Sequence, residues 1–345
     1  GLIGPSLMTQ MREAFDGLGE SLRAEFGGIP RATIIALPET PDDGIDLGIV
    51  HESFDGVFNR LRVKDSHGRA MNLLLVGPAG TGKTHMAATV AMALHEIGES
   101  AGGFSADTER DITLISCNAE MSPFDLLGPM VPNVSDGSER YRRSPSVIRY
   151  ESGGLLVWDE MDCLDESAAV AFNAALAGDT LPLPDGSFAT RHPDFRFIGI
   201  ANTFGDGRSE QYTARNNLDA AFMNRFACGV VRMDYSPAIE RELCGDTLLR
   251  EAITTYRQRM CEAGIKRIIS TRDLMNAHAL KASGLFTHEQ ALDAVFIAWT
   301  EADLQRIERT PPEAYTAPEG QPSFGMVGVG LGLLLSPEPL TFALG

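Results

Sequence analysis

Short apolar runs alternate along this chain with segments whose apolar residues return every three or four positions. Leu73-Leu74-Leu75-Val76, residues 112–116, residues 155–158 and residues 195–201 are of strand length. The lack of internal alternation in most of them predicts strands buried on both faces, and residues 230–233 supply one more. Between them, residues 50–61, 86–94 and 168–177 carry helical spacing. Residues 218–226 read as a short helix. Beyond residue 236 the pattern is helical alone, over residues 238–263, 271–282 and 288–306. The periodicities thus predict an α/β core over residues 50–235 and a smaller helical unit over residues 236–310.

The flanks differ from this core. Leu7, Met11, Phe15, Leu18, Leu22 and Phe26 fall on one face of a helix that Gly27-Gly28 ends. Residues 33–37 are β-prone, residues 38–44 are turn-rich, and a boundary is expected near residue 45, so residues 1–49 form an N-terminal helix and linker. Residues 311–345 are Pro-rich and then Gly-rich, and their apolar stretch is too short to cross a bilayer.

The stretch after the first core strand carries the chemistry. Gly77-Pro78-Ala79-Gly80-Thr81-Gly82-Lys83-Thr84 lies between a strand and a helix, the context in which G-x-x-x-x-G-K-[ST] is a phosphate-binding loop. Its glycines let backbone N–H groups curl around an anion, and the following helix adds its positive end. Lys83 is expected on the β and γ phosphates of ATP and Thr84 on Mg2+. Lys83 is also the sole lysine between Lys64 and Lys266. Val50 and His51 are expected to line the adenine pocket.

Two carboxylates end the next long apolar run, Leu155-Leu156-Val157-Trp158-Asp159-Glu160. Side chains at a strand end point to different faces, so the two acids can serve different ends: Asp159 is expected to hold Mg2+, and Glu160 to polarise the attacking water. Asn202, at the tip of the 195–201 strand, either orients that water against the γ phosphate or caps its own turn. Leu181 to Phe188 holds Asp185-Gly186, a hairpin signal. Residues 124–128 begin a helix that Pro129, Pro132, Asn133 and Gly137 interrupt, and beyond it stand Arg140, Tyr141, Arg142, Arg143 and Arg149. That arginine cluster is either a solvated face or a grip for nucleic acid or an acidic peptide.

Composition narrows the picture. A formal net charge of -18 over 345 residues argues against a surface that wraps nucleic acid or anionic membrane throughout. Five cysteines without C-x-x-C spacing suggest neither zinc nor disulfides, and hence a reducing compartment. No signal peptide opens the chain and no membrane-length apolar run is present, so a cytoplasmic protein without membrane contact is expected. The N-K-x-D motif of base-reading GTPases is missing, which favours ATP.

The order of phosphate loop, acidic strand end, Ile200-Ala201-Asn202-Thr203 and Asn224-Arg225-Phe226 resembles the AAA+ ATPases, with their Walker A, Walker B, sensor 1 and arginine-finger positions. Asp125-Leu126-Leu127-Gly128, Gly153-Gly154, Asp194-Phe195-Arg196, and Tyr212 with Arg215 are similar to the MoxR and dynein-related branch, which includes the cobalt chelatase small subunit. The resemblance implies a three-layer α/β core with a parallel sheet, then an α-helical lid. It implies a homo-oligomeric ring, usually hexameric, acting on an unknown client or adaptor protein. It makes Arg225, or alternatively Arg215, the finger that reaches a neighbour's γ phosphate, and Arg272 a cis arginine over the phosphates. The interrupted helix and the 181–188 hairpin match inserts that face the pore or a partner.

Overall fold

The computed structural model describes residues 34–35, 45–108, 112–133, 138–203, 216 and 218–309. The predicted helix of residues 7–26, the tail from residue 310, and Tyr212 with Arg215 lie outside the described residues.

Five strands form the central sheet: β1 (Leu73–Val76), β2 (Thr113–Ser116), β3 (Gly154–Asp159), β4 (Phe195–Ala201) and β5 (Val230–Arg232). Their order is β5-β1-β4-β3-β2, and every pairing is parallel. β1, β3 and β4 are interior, which is why their sequences are apolar without alternation; β2, at an edge, alternates half-buried and exposed residues.

Side-chain alternation feeds two cores, one on each face. Leu74, Trp158 and Phe197 point into one, with Tyr150, Phe172 and Phe226. Leu73, Leu75, Val157, Ile198 and Ile200 point into the other, under α1 (Phe54–Arg62) and α2 (Lys83–Ile97). On the first face packs α3 (Pro145–Ser152), whose start Ser144 caps by accepting from the Val147 N–H. Arg196 of β4 is fully buried. Its guanidinium donates to the Leu61 carbonyl at the end of α1 (3.0 Å) and to the Pro193 carbonyl (3.1 Å), tying a helix C-terminus to the sheet.

Beyond β5 come α4 (Pro237–Leu243), α5 (Thr247–Glu262), α6 (Thr271–Ala282), α7 (His288–Phe296) and α8 (Glu301–Arg306). They close a third core around Leu249, Ile253, Leu274 and Phe296. Three helices predicted as continuous are each divided. Residues 238–263 break at Cys244 and Gly245, and Asp246 caps the helix that follows by accepting from the Leu249 N–H. Residues 288–306 break before Thr300, which caps α8. Residues 168–177 divide into Glu166–Ala171 and Asn173–Ala177 at Phe172. The region read as a short helix over residues 218–226 is a turn of α-helix, Ala220–Met223, followed by a 3-10 turn, Asn224–Phe226.

Two antiparallel hairpins project from the core: Met130–Pro132 with Glu139–Tyr141, and Thr180–Pro182 with Phe188–Thr190. In the second, Asp185 accepts from the Ser187 N–H and hydroxyl, and Gly186 completes the turn at φ 81°. A short pair, Ile34–Ile35 with Ile45–Asp46, precedes the core. Among the described residues, no helix is long and apolar enough to cross a membrane.

Candidate functional site

The parallel strands all end on the same side, and their C-terminal ends bring the predicted site residues together, as open α/β sheets do. Gly77 leaves β1 directly against the chain that leaves β5. A Cβ on Gly77 would lie 1.9 Å from the Met233 carbonyl oxygen, so no side chain fits there.

Lys83, 6% exposed at the first position of α2, turns its ammonium back into the loop. It donates to the carbonyls of Gly77 (2.7 Å) and Pro78 (2.8 Å) and to Asn202 Oδ1 (3.0 Å). Thr84 donates its hydroxyl to Asp159 Oδ2 at 2.8 Å. Thr81 closes the loop with a bond to the Pro78 carbonyl. Lys83, Asn202, Thr84 and Asp159 therefore form two linked pairs across the ends of three strands.

Glu160 follows Asp159 in left-handed conformation, φ 55° and ψ 35°, which a non-glycine residue adopts at a cost of about 1–2 kcal/mol. The turn swings its carboxylate away from the strand axis to an exposed position, where it accepts from the Cys163 thiol at 3.8 Å. Burial, with Asp159, Cys163 and Glu160 nearby, pushes the Cys117 thiol well above its ordinary range and keeps it neutral.

One residue that the sequence reading passed over organises this end of the sheet. Asp162 is fully buried, and its Oδ2 accepts from the Asn202 N–H (3.2 Å), the Thr203 N–H (2.9 Å) and the Thr203 hydroxyl (2.8 Å). It thus fixes the strand tip that carries Asn202. Its trace in the sequence is a third acid two places after Glu160, within a segment that is otherwise apolar.

Next to the loop lies a cavity of about 620 Å³, a volume that suits a small-molecule ligand. Val50, His51 and Met86, Gly80 and Gly82 of the loop, and Arg272 with Met275 of α6 line it. His51 is held firmly: its Nδ1 accepts from the Ser53 N–H at 3.1 Å, so its Nε2 carries the hydrogen donated to the Asp234 carbonyl at 2.9 Å. Gly80 takes φ 77°, and a Cβ there would lie 2.7 Å from Ser270 Cβ, so loop and α6 meet with no room between them.

Residues 72–226 match the family model of the AAA domain, dynein-related subfamily. The parallel five-stranded sheet, its flanking helices and the helical region after it are consistent with an AAA+ α/β core. No curated protein matches the chain. The match to an AAA domain implies nucleotide binding.

Arg225 lies elsewhere. Its carbonyl accepts from Asn72 Nδ2 at 3.2 Å and its Nε donates to Asn173 Oδ1 at 3.2 Å. Asn72 precedes β1, whereas the phosphate loop follows it. At 3.3 Å per residue the two ends stand about 16 Å apart, so Arg225 occupies the edge of the sheet opposite its own loop.

The arginine cluster needs correction. Arg149 is not on an exposed face: it is 5% exposed, and donates to Thr113 Oγ1 (2.9 Å) and the Gly153 carbonyl (3.1 Å). A guanidinium spent on holding α3 to β2 cannot grip a phosphate backbone. Arg143 pairs with Glu151, Nε to Oε2, at 2.5 Å. Arg140 and Arg142 are exposed.

Proposed function

We propose that the chain is a Mg2+-dependent ATPase that assembles head to tail into a ring and uses hydrolysis to remodel a partner protein. The ring size expected from its resemblance to the MoxR branch is six. One observation carries the reading: Lys83 bonds Asn202 and Thr84 bonds Asp159 immediately after Gly80-Thr81-Gly82, the loop residues that line a cavity of about 620 Å³.

The residues suit the metal. The Thr84 hydroxyl and the Asp159 carboxylate are oxygen donors already in contact at the head of α2, the kind of ligand that Mg2+ takes. Bound there, Mg2+ would neutralise charge on the β and γ phosphates.

Lys83 exchanges its carbonyl partners for phosphate oxygens. Val50 and His51 contact the base, and Arg272 closes on the phosphates from α6. Glu160 accepts the proton of a water whose oxygen attacks the γ phosphorus, while the bond to the bridging oxygen of ADP breaks. Asn202 orients that water. Arg225, out of reach of its own loop, serves the γ phosphate of the adjoining subunit, where a guanidinium offsets charge developed in the transition state.

Exposed Arg140 and Arg142 support a second reading, a motor on nucleic acid, which the burial of Arg149 and the pairing of Arg143 weaken. Phosphate release separates the two, measured with an unfolded protein client and with single-stranded or duplex DNA at two salt concentrations. Stimulation by the protein with DNA inert supports the remodelling reading. Stimulation by DNA that fades with salt replaces it with the motor. ATP binding without turnover under any condition marks a nucleotide-dependent assembly switch instead.

A further inference from the structure

Four polar residues near the cavity have no part in the mechanism above. Glu240 of α4 is a carboxylate only 5% exposed. Its two oxygens accept from both terminal nitrogens of Arg257 on α5, at 2.8 and 2.9 Å, and Oε1 also accepts from the Thr271 hydroxyl at 2.6 Å. Arg257 Nε donates to the Ile269 carbonyl at 2.8 Å, just before α6 begins. The face of the same guanidinium lies 4.1 Å from the centre of the Tyr235 ring. Tyr235 in turn donates its hydroxyl to the carbonyl of Ala79, inside the phosphate loop, at 3.0 Å.

Contacts therefore run without a gap from Ala79 through Tyr235, Arg257 and Glu240 to Thr271, the residue before Arg272. The two ends of that series meet directly on the other side, where Gly80 abuts Ser270. A planar fork bound on both carboxylate oxygens fixes orientation as well as distance. Its stacking on Tyr235 passes that orientation to the loop.

We propose that Glu240 and Arg257, with Tyr235 and Thr271, are positioning residues: they latch the N-terminal end of α6 to the phosphate loop and hold Arg272 at the nucleotide. This rests on the nucleotide reading of the cavity. Glu240, Arg257 and Tyr235 do not line the cavity and act through Arg272 and the Ala79 carbonyl, whereas Thr271 lines it beside Arg272. A buried pair that merely stabilised the helical unit would not need the Tyr235 hydroxyl, which reaches the phosphate loop.

The test is calorimetric titration of the full chain with ATP in the presence of Mg2+. Tyr235→Phe and Thr271→Val each delete one hydroxyl and keep the packing. Each should weaken ATP about tenfold, the weight of one hydrogen bond, and, because the bond is already made without nucleotide, lower the melting temperature of the nucleotide-free protein by a few degrees, about what 1 kcal/mol gives. Arg257→Lys keeps the charge and loses the fork, so it should weaken ATP at least as much. In an Arg272→Ala background the further loss from Tyr235→Phe or Thr271→Val should shrink to less than about twofold, because the latch acts through that arginine. Affinities unchanged in Tyr235→Phe and Thr271→Val, or losses that simply multiply with Arg272→Ala, overturn the latch while wild-type binding keeps the nucleotide reading. Failure of the wild-type protein to bind ATP overturns both.

Discussion

Lys83 is held by neutral oxygens at the turn from β1 into α2, so an arriving triphosphate meets a cation whose position is already set. Removing it leaves the loop without its one ammonium: Lys83→Ala should abolish ATP binding by calorimetry. Glu160→Gln keeps the left-handed turn and the side-chain length but cannot accept a proton, so binding should persist while turnover falls by a factor of about 100 or more. Both residues were legible in the sequence because each is tied to a backbone event, a glycine turn or a strand end. Arg149 was not. A buried guanidinium that donates to Thr113 and Gly153 has the same letter as an exposed one, and its two partners lie on other elements or across a turn. Asp162 escaped for the converse reason, since a buried acid is explained only by Asn202 and Thr203, which lie forty residues on.

Elements were legible where burial is uniform. The interior strands are apolar except for Arg196 and the terminal Asp159, and residues 195–201 coincide with β4. Helix ends in the second unit were not, because apolar spacing continues through Leu243, Cys244 and Leu249 while the backbone turns at Gly245. The contact between loop and α6 lies at this scale too. Gly80→Ala would place a Cβ 2.7 Å from Ser270 Cβ on a residue at φ 77°. The variant should lose about 1–2 kcal/mol of stability and bind ATP more weakly, as read by melting and titration.

Asp194 gives the elements a pH signature. Burial alone would raise its pKa, but the Ser105 N–H and the hydroxyls of Ser105 and Thr108 more than offset this, leaving the carboxyl below its ordinary value of 3.8. A pKa lowered by folding contributes stability that is complete above 3.8 and is lost as pH falls through the folded value. Asp194→Asn should therefore destabilise the protein by about 1–3 kcal/mol at pH 7, and the gap from wild type should narrow in melts at pH 3.

At the scale of the molecule, the separation of Arg225 from its own loop would give each subunit of the proposed ring an accepting side and a donating side. Contacts between unlike sides are heterologous, and they close into rings when the rotation permits. Arg225→Ala should lower turnover by a factor of about 1,000 when alone. Mixed with Lys83→Ala subunits, it should recover part of that activity, because an intact loop then meets an intact arginine across some interfaces. Phosphate release across a series of mixing ratios measures this, and no recovery at any ratio would place Arg225 in a purely local role with Asn173.

The strand beneath the phosphate loop also sets when the site can come into being. β1 is hydrogen-bonded to β4 and β5, which begin 122 and 157 residues later by subtraction of their first residues, 73, 195 and 230. Until those partners have been synthesised and have docked, the glycine-rich turn has no frame to hold its N–H groups inward. Such long-range pairing is slow to form. On the proposed function, ATP capture would follow completion of the sheet, and bound ATP would stabilise only chains that have completed it. A fragment ending before residue 195 would carry the whole phosphate-loop sequence and show no ATP-induced rise in melting temperature.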